Sequence, residues 1–382
     1  MAYPDAAIFD RKSYAKVTRP PLQAEPLPGW CYTDPAFHRR EIERVFSRSW
    51  VCVGRENALP DAGDYRTVEL GGTKVILIRG QDGKLRALNN VCRHRGMVLL
   101  KGSGRVNGIL CPFHSWGYGL DGSLRGAPNM DRTEGFDKRE YGLAEFEIAI
   151  WQGFIFVRLE PGGPAFEDTV GELDTLLDCY DLPNMRIGGS REFTVNCNWK
   201  LFIEVFMEDY HLNAVHKNSI AGTYASHAPE VADGVNGDFV TIWDTHEGTS
   251  ALLTDERHKA LPPIAGLKPS ELGTRYVLLY PSFAFACTID CMWFFEIYPD
   301  GPAKTNVAMT MLVPPSTLAR PDFEARFEAY RTRWKVSMDE DIVVLERQQD
   351  GMETGRYRPG RFSHLEPCVS KLASWIVTRT ID

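Results

Sequence analysis

Between residues 92 and 114 four metal-seeking side chains stand in two short groups, Cys92-Arg93-His94 and Cys111-Pro112-Phe113-His114, with sixteen residues between His94 and Cys111. A chain that uses such a set must present both groups on neighbouring loops, where two thiolates and two imidazoles converge. Held that way, Cys92 and Cys111 bind one iron of a [2Fe–2S] unit, and His94 and His114 bind the other. Neutral imidazoles in place of two thiolates raise the reduction potential, so the unit takes up and passes on single electrons. A structural Cys2His2 zinc site draws on the same donors. Zinc fingers keep cysteine with cysteine and histidine with histidine, whereas each group here mixes the two, and ligand order favours iron and sulfur.

Composition closes several other routes. The chain has 382 residues, 43% hydrophobic and 25% charged, which is core enough for two domains. A net charge of −8 without any basic tract argues against a nucleic-acid partner. No apolar run approaches the length of a bilayer span, and the first six residues carry no signal pattern, so no membrane association is expected. The nine cysteines are an odd number; besides the two ligands they scatter over Cys31, Cys52, Cys179, Cys197, Cys287, Cys291 and Cys368. They read as small buried hydrophobes of a cytoplasmic protein rather than a disulfide framework.

Along the chain, Pro20-Pro21 and Pro26-Leu27-Pro28 break the first 40 residues. Asp34 then stands as an N-cap before Pro35 and an amphipathic stretch through Glu41, Val45 and Phe46. Short β-rich runs follow at 51–53, 65–70, 74–78, 85–88 and 154–157, parted by Gly and Asp turns. They predict a small sandwich or barrel that carries both ligand groups on loops. Pro161-Gly162-Gly163-Pro164 marks a boundary. The expected organisation is an N-terminal arm, 1–45, packing on the last domain, a β domain over 46–160, and a third segment over 161–382.

In that last segment a helix is predicted over 167–180, and another over 198–216 from the spacing of Leu201, Phe202, Val205 and Phe206. His211 and His216, five residues apart, would stand about 140° apart on a regular helix. They meet at one metal only if the helix ends or widens between them. Residues 322–352 read as a long amphipathic helix, broken at most once, which holds Asp339, Glu340 and Asp341. Between these helices, runs at 239–243, 276–280, 283–286, 291–298 and 306–313 predict strands of an antiparallel sheet.

The first motif, down to Arg93, Arg95-Gly96 and Pro112-Phe113-His114-Ser115-Trp116, resembles the Rieske centre of the ring-hydroxylating oxygenase family. It lacks the extra cysteine that respiratory-type Rieske proteins carry beside each ligand pair. The stretch Glu208-Asp209-Tyr210-His211 through His216 is similar to that family's mononuclear-iron signature. The resemblance implies ligand roles for His211 and His216 and an electron-bridging role for Glu208, which helical spacing places one turn from His211, ahead of Asp209. The Asp-x4-Glu pattern at Asp341 and Glu346 implies Asp341 as third ligand, with Asp339 as the alternative. Two imidazoles and one carboxylate make the facial triad of non-haem Fe(II) oxygenases, which leaves positions open for O2 and substrate. Val205 follows Glu204 where the family often has Asn.

The implied fold is α+β, a small all-β Rieske domain plus a helix-grip (START-like) catalytic domain built on an antiparallel sheet. The implied activity is that of a terminal oxygenase component, supplied from NAD(P)H by a separate flavin or iron–sulfur reductase. The family's head-to-tail homotrimer sets the cluster of one subunit against the iron of the next. A glutamate at the bridging position resembles the carnitine, glycine betaine and choline branch, and the short chain is similar to members without a small subunit. A quaternary ammonium substrate, hydroxylated or demethylated, is therefore expected. Trp243, Tyr280, Trp293, Phe295 and Tyr298 are candidates to face its cation, although sheet core is the commoner fate of such residues. The alternative substrate is an aromatic acid, oxygenated in the same pocket with an arginine on its carboxylate. A Rieske electron-transfer protein without oxygenase chemistry is a third reading, against which His211 and His216 argue.

Overall fold

The computed structural model describes residues 8–223, 230–233 and 237–381. The opening residues, in which no signal pattern is read, lie outside the described residues. The chain divides into two compact units, Phe46–Gly163 and, together, Met1–Val45 with Pro164–Asp382. No helix among the described residues is long and apolar enough to cross a membrane.

The Phe46–Gly163 unit is all β apart from short 3-10 turns. Its strands are β1 (Val51–Arg55), β2 (Asp64–Leu70), β3 (Thr73–Arg79), β4 (Leu85–Asn89), β5 (Ser103–Arg105), β6 (Ile109–Leu110), β7 (Gly117–Tyr118), β8 (Leu124–Gly126), β9 (Glu145–Trp151) and β10 (Phe154–Arg158). Seven form one sheet in the order β1-β10-β9-β4-β3-β2-β5, and β6-β7-β8 form a second. Gly71-Gly72 joins β2 to β3 with φ of 55° and 86°, the left-handed pair that a two-residue hairpin turn needs. The core binds the sheet to the ligand loops, since Ile76, Ile78 and Leu88 pack in one cluster with Cys92, Cys111 and Trp116.

The second unit holds a seven-stranded antiparallel sheet of β11 (Arg186–Val195), β12 (Glu230–Asp233), β13 (Phe239–Asp244), β14 (Thr274–Leu279), β15 (Phe283–Cys287), β16 (Met292–Pro299) and β17 (Thr305–Val313). The order is β11-β17-β16-β15-β14-β13-β12. The short strands β5 to β8 and β12, and the longer β9 and β11, fall outside the runs expected from sequence. β11 is glycine-bearing and largely exposed, so no apolar alternation announces it. A Cβ on its Gly189 would lie 2.7 Å from the Phe327 ring, so the bare backbone lets the long helix approach. That helix runs unbroken from Phe323 to Glu353, with no proline and only Gly351 near its end. A further helix, Pro367–Ile381, closes the unit and was not expected. The predicted helix over 167–180 is instead two short pieces, Phe166–Val170 and Leu173–Leu177, parted by Gly171 at φ 50°.

The arm is tied down by charge. Asp34 caps the helix Pro35–Glu41, its carboxylate accepting from the Ala36 N–H at 2.7 Å. The chain goes on through Phe46 as a π-turn rather than as regular helix. Glu41 and Lys200, both fully buried, meet at 2.6 Å, and Trp199 Nε1 donates to the same carboxylate at 3.3 Å. The Lys200 ammonium also lies 5.1 Å from the Tyr32 ring centre. Burial pushes the Glu41 carboxyl up, against the pull of Lys200. Lys200→Met is expected to cost about 3–5 kcal/mol, because it leaves a carboxylate buried without its cation. The denaturation midpoint reads this, and adding Glu41→Leu should recover most of it. A single-variant loss below about 1 kcal/mol, the value of an exposed pair, would sink the assignment.

Candidate metal centres

Both ligand groups of the β unit sit on loops, Cys92 and His94 between β4 and β5, Cys111 and His114 between β6 and β7. The two loops repeat one local fold. Cys92 N–H donates to Met97 O and Cys111 N–H to Trp116 O, each at 2.8 Å, while Gly96 and Ser115 N–H return to the two cysteine carbonyls at 3.0 Å. Gly96 and Ser115, at φ 75° and 58°, turn each loop back. Cys92 and Cys111 are buried at 3% and 2% exposure. The His94 and His114 rings lie 4.6 Å apart, and His94 stacks on Trp116 at 4.9 Å. Both Nδ1 atoms are buried without a hydrogen-bond partner. Leaving such atoms bare costs about 1–3 kcal/mol each. Two bare imidazole nitrogens beside two buried thiols fit a [2Fe–2S] cluster. Burial, with His94 and Arg95 close by, holds His114 below the ordinary imidazole value and so favours a neutral donor. Tyr118 OH lies 3.3 Å from Cys92 Sγ, a contact the sequence does not announce.

In the second unit the predicted helix over 198–216 is not continuous. Asn198 caps Trp199–Phe206, the helix stops at Met207, and a separate turn, Leu212–Val215, follows. Glu208 lies in the link, where its Oε2 accepts from the Tyr210 and His211 N–H groups. That side-chain capping competes with continued helix. It also corrects the route by which Glu208 reaches His211. Capping of the link, not helical spacing, sets Glu208 Oε1 2.7 Å from His211 Nδ1. His211 and His216 flank the short turn at its two ends, and their rings come to 5.1 Å.

Asp341 arrives from the long helix. One donor atom each from His211, His216 and Asp341 lies within 4.8 Å of the others. Asp341 Oδ1 is 2.9 Å from His216 Nε2 and 3.8 Å from His211 Nε2, yet it makes no aligned hydrogen bond. Three donors converging on a point without an aligned hydrogen bond among them fit a divalent cation. Asp339 instead pairs with Lys335 at 2.5 Å and lies 3.7 Å from Arg191. Glu340, not singled out as a contact in the sequence, reaches His216 Nδ1 at 2.7 Å and accepts from Ser219 Oγ at 2.7 Å. Each imidazole thus has a carboxylate on its far nitrogen, which fixes tautomer and ring direction. Burial pushes His211 down, but Glu208, Asp341 and Asp209 together outweigh it and the net shift is upward. Glu340→Gln is expected to weaken iron retention by about 10- to 100-fold in a chelator competition; unchanged retention would deny it that orienting role.

The donors open on a cavity of about 60 Å³, lined among others by Phe206, Tyr276, Trp293, Phe295, Met309 and Arg333. Of the five aromatic candidates only Trp293 and Phe295 line it. Strand parity explains the split. Ala284 and Ala286 oppose Phe295 and Trp293, and Ala286 opposes Tyr276, so these share one sheet face. Trp243 opposes Arg275 and lies under its guanidinium at 4.8 Å, out of phase with Tyr276. Tyr298 is out of phase with Trp293 and donates to Glu296 at 2.7 Å. Tyr280 lies beyond β14, stacked on Trp375 at 4.8 Å. Asp244 shares the Tyr276 face by the same register, and its Oδ2 is buried without a partner. Burial and the nearby Asp209, a cavity residue, push the Asp244 carboxyl up. A larger concavity of about 370 Å³, beside Gly189 and Lys335, gathers no metal-donor triad among the described residues.

Residues 182–380 match the family described as "Ring hydroxylating alpha subunit (catalytic domain)", and 49–146 the one described as "Rieske [2Fe-2S] domain". The chain is 29% identical to the glycine betaine monooxygenase oxygenase subunit of Chromohalobacter salexigens, over 95% of this chain and 87% of that one. It is 30% identical to the chloroplastic choline monooxygenase of Beta vulgaris, over 90% of this chain and 74% of that one. The solved structure of the quaternary ammonium Rieske monooxygenase CntA with gamma-butyrobetaine superposes with a TM-score of 0.79 at 22% identity, covering 100% of this chain and 99% of the other.

Proposed function

Since the chain belongs to the Rieske ring-hydroxylating oxygenase alpha-subunit family, we propose that it hydroxylates or demethylates a small quaternary ammonium compound of the carnitine, betaine or choline type. It is the terminal oxygenase component of a Rieske-type system, an oxidoreductase that carries a [2Fe–2S] cluster and a mononuclear iron. The observation that carries this reading is the convergence of His211, His216 and Asp341 in a chain that also bears the Cys92, His94, Cys111 and His114 loops. A bare electron carrier has no use for the triad.

When bound, the cluster supplies single electrons and the iron supplies O2 activation. Cys92, Cys111, His94 and His114 hold the first, and His211, His216 and Asp341 the second. Glu208 keeps the His211 Nδ1 proton and so directs Nε2 toward the donor point, as Glu340 does for His216. Phe206, Tyr276, Trp293 and Phe295 keep water from the cavity and offer ring faces to a cation. Glu208, on a non-helical link beside a metal histidine, is the bridging carboxylate. Electrons come from NAD(P)H through a separate reductase, and the working unit is a head-to-tail homotrimer, as in the family. Nine cysteines without a disulfide suit a cytoplasmic setting.

The test pairs the protein with a surrogate reductase and follows NADH and O2 consumption with quaternary amines and with aromatic acids. Consumption tied to product from a quaternary amine supports the reading. Turnover of aromatic acids alone replaces the substrate class, and no product with pre-reduced, iron-loaded protein removes the oxygenase reading.

A further inference from the structure

We propose that Arg333 anchors a carboxylate of the substrate, so that the cavity is built for a betaine-type zwitterion rather than an amino alcohol. The inference rests on the quaternary ammonium reading above and narrows it. Arg333 stands on the long helix eight residues before Asp341, is 5% exposed, and lines the same cavity as the metal donors. Its Nη1 donates to Ser337 Oγ at 3.2 Å, and its guanidinium lies 5.3 Å from the Trp293 ring centre. Nε is buried with no hydrogen-bond partner, and among the described residues no carboxylate lies within ion-pair distance of this guanidinium. A guanidinium has five N–H donors and stays charged. Burying one without an anion is expensive, and the cation–π contact with Trp293 repays only part of that. The planar fork matches a carboxylate, which a ligand in the cavity would supply.

The rest of the cavity suits the opposite charge. Phe206 lies 5.5 Å from Tyr276 and 5.2 Å from Phe295, so the three rings form one wall. Asp209 lines the cavity with them. A molecule with a carboxylate at one end and a trimethylammonium group at the other matches both poles, whereas choline leaves the guanidinium unpaired.

The test is anaerobic calorimetric titration of the wild-type protein, Arg333→Gln and Arg333→Lys with glycine betaine, choline and benzoate. Wild-type protein should bind glycine betaine about 10- to 100-fold more tightly than choline, the range for hydrogen bonds between charged partners. Arg333→Gln should remove that preference without weakening choline, and Arg333→Lys should restore part of it. Should Arg333→Gln fail to fold, the wild-type preference and the lysine variant decide. Choline bound as tightly as glycine betaine, with no dependence on Arg333, overturns the anchor and leaves the quaternary ammonium reading standing. Arginine-dependent binding of benzoate without glycine betaine keeps the anchor and overturns that reading. If none of the three compounds binds, both fall.

Discussion

Asp341→Ala is expected to lower the iron content from about three to about two atoms per chain, with the visible absorption of the cluster unchanged. Two neutral imidazoles then remain at a point built for a divalent cation, and the cation loses its only anionic ligand. Oxygenation should fall below detection with every substrate. The comparison variant is Asp339→Ala, which removes an exposed carboxylate paired with Lys335 and should change neither iron content nor turnover beyond about twofold. Iron loss in that variant, with full iron in Asp341→Ala, would reverse the assignment. Zinc in place of iron after anaerobic purification would undo the reading of both centres.

Glu208→Gln, loaded with iron to full occupancy, is expected to cut steady-state turnover by about 100-fold or more, beyond the weaker iron retention it shares with Glu340→Gln. Glutamine keeps the shape, but its one carbonyl oxygen serves either the N–H groups of the link or His211 Nδ1, and its NH2 faces the other. What disappears is the negative charge that steadies the histidine and that a bridge between two centres requires. Turnover of the iron-loaded variant driven by hydrogen peroxide separates this from a failed iron site, because peroxide brings oxygen already reduced by two electrons and needs no electron across the bridge. Steady-state activity within about twofold of wild type would remove Glu208 from the electron route.

The candidate metal donors were open to sequence reading because the pattern that proposes them is local. A Cys-x-His loop or a Tyr-His-x4-His stretch carries its ligands within a few residues, and the structure draws these together. Glu208 was legible as a partner of His211, but by the wrong geometry, since its own capping bonds end the helix that spacing predicts. The cavity wall was less legible. Trp243 and Tyr298 look as suitable as Trp293 and Phe295 until register fixes which sheet face each occupies, and register is a property of paired strands. Phe206, Tyr276 and Arg333 went unmarked for the same reason. Their role depends on what lies opposite, which no local pattern records. β11 went unseen because strand pairing with β17 and the close approach of Phe327, not apolar alternation, hold it in place.

Glu340 and Asp341 are successive residues of one helix, and they touch the two nitrogens of a single imidazole, that of His216. One turn of the helix therefore works as tweezers on that ring. A slight twist of the 31-residue rod loosens both jaws together. Disturbances seeded far along the rod, at Phe327 for instance, should register first as a leaking metal, before any strand of the sheet gives way.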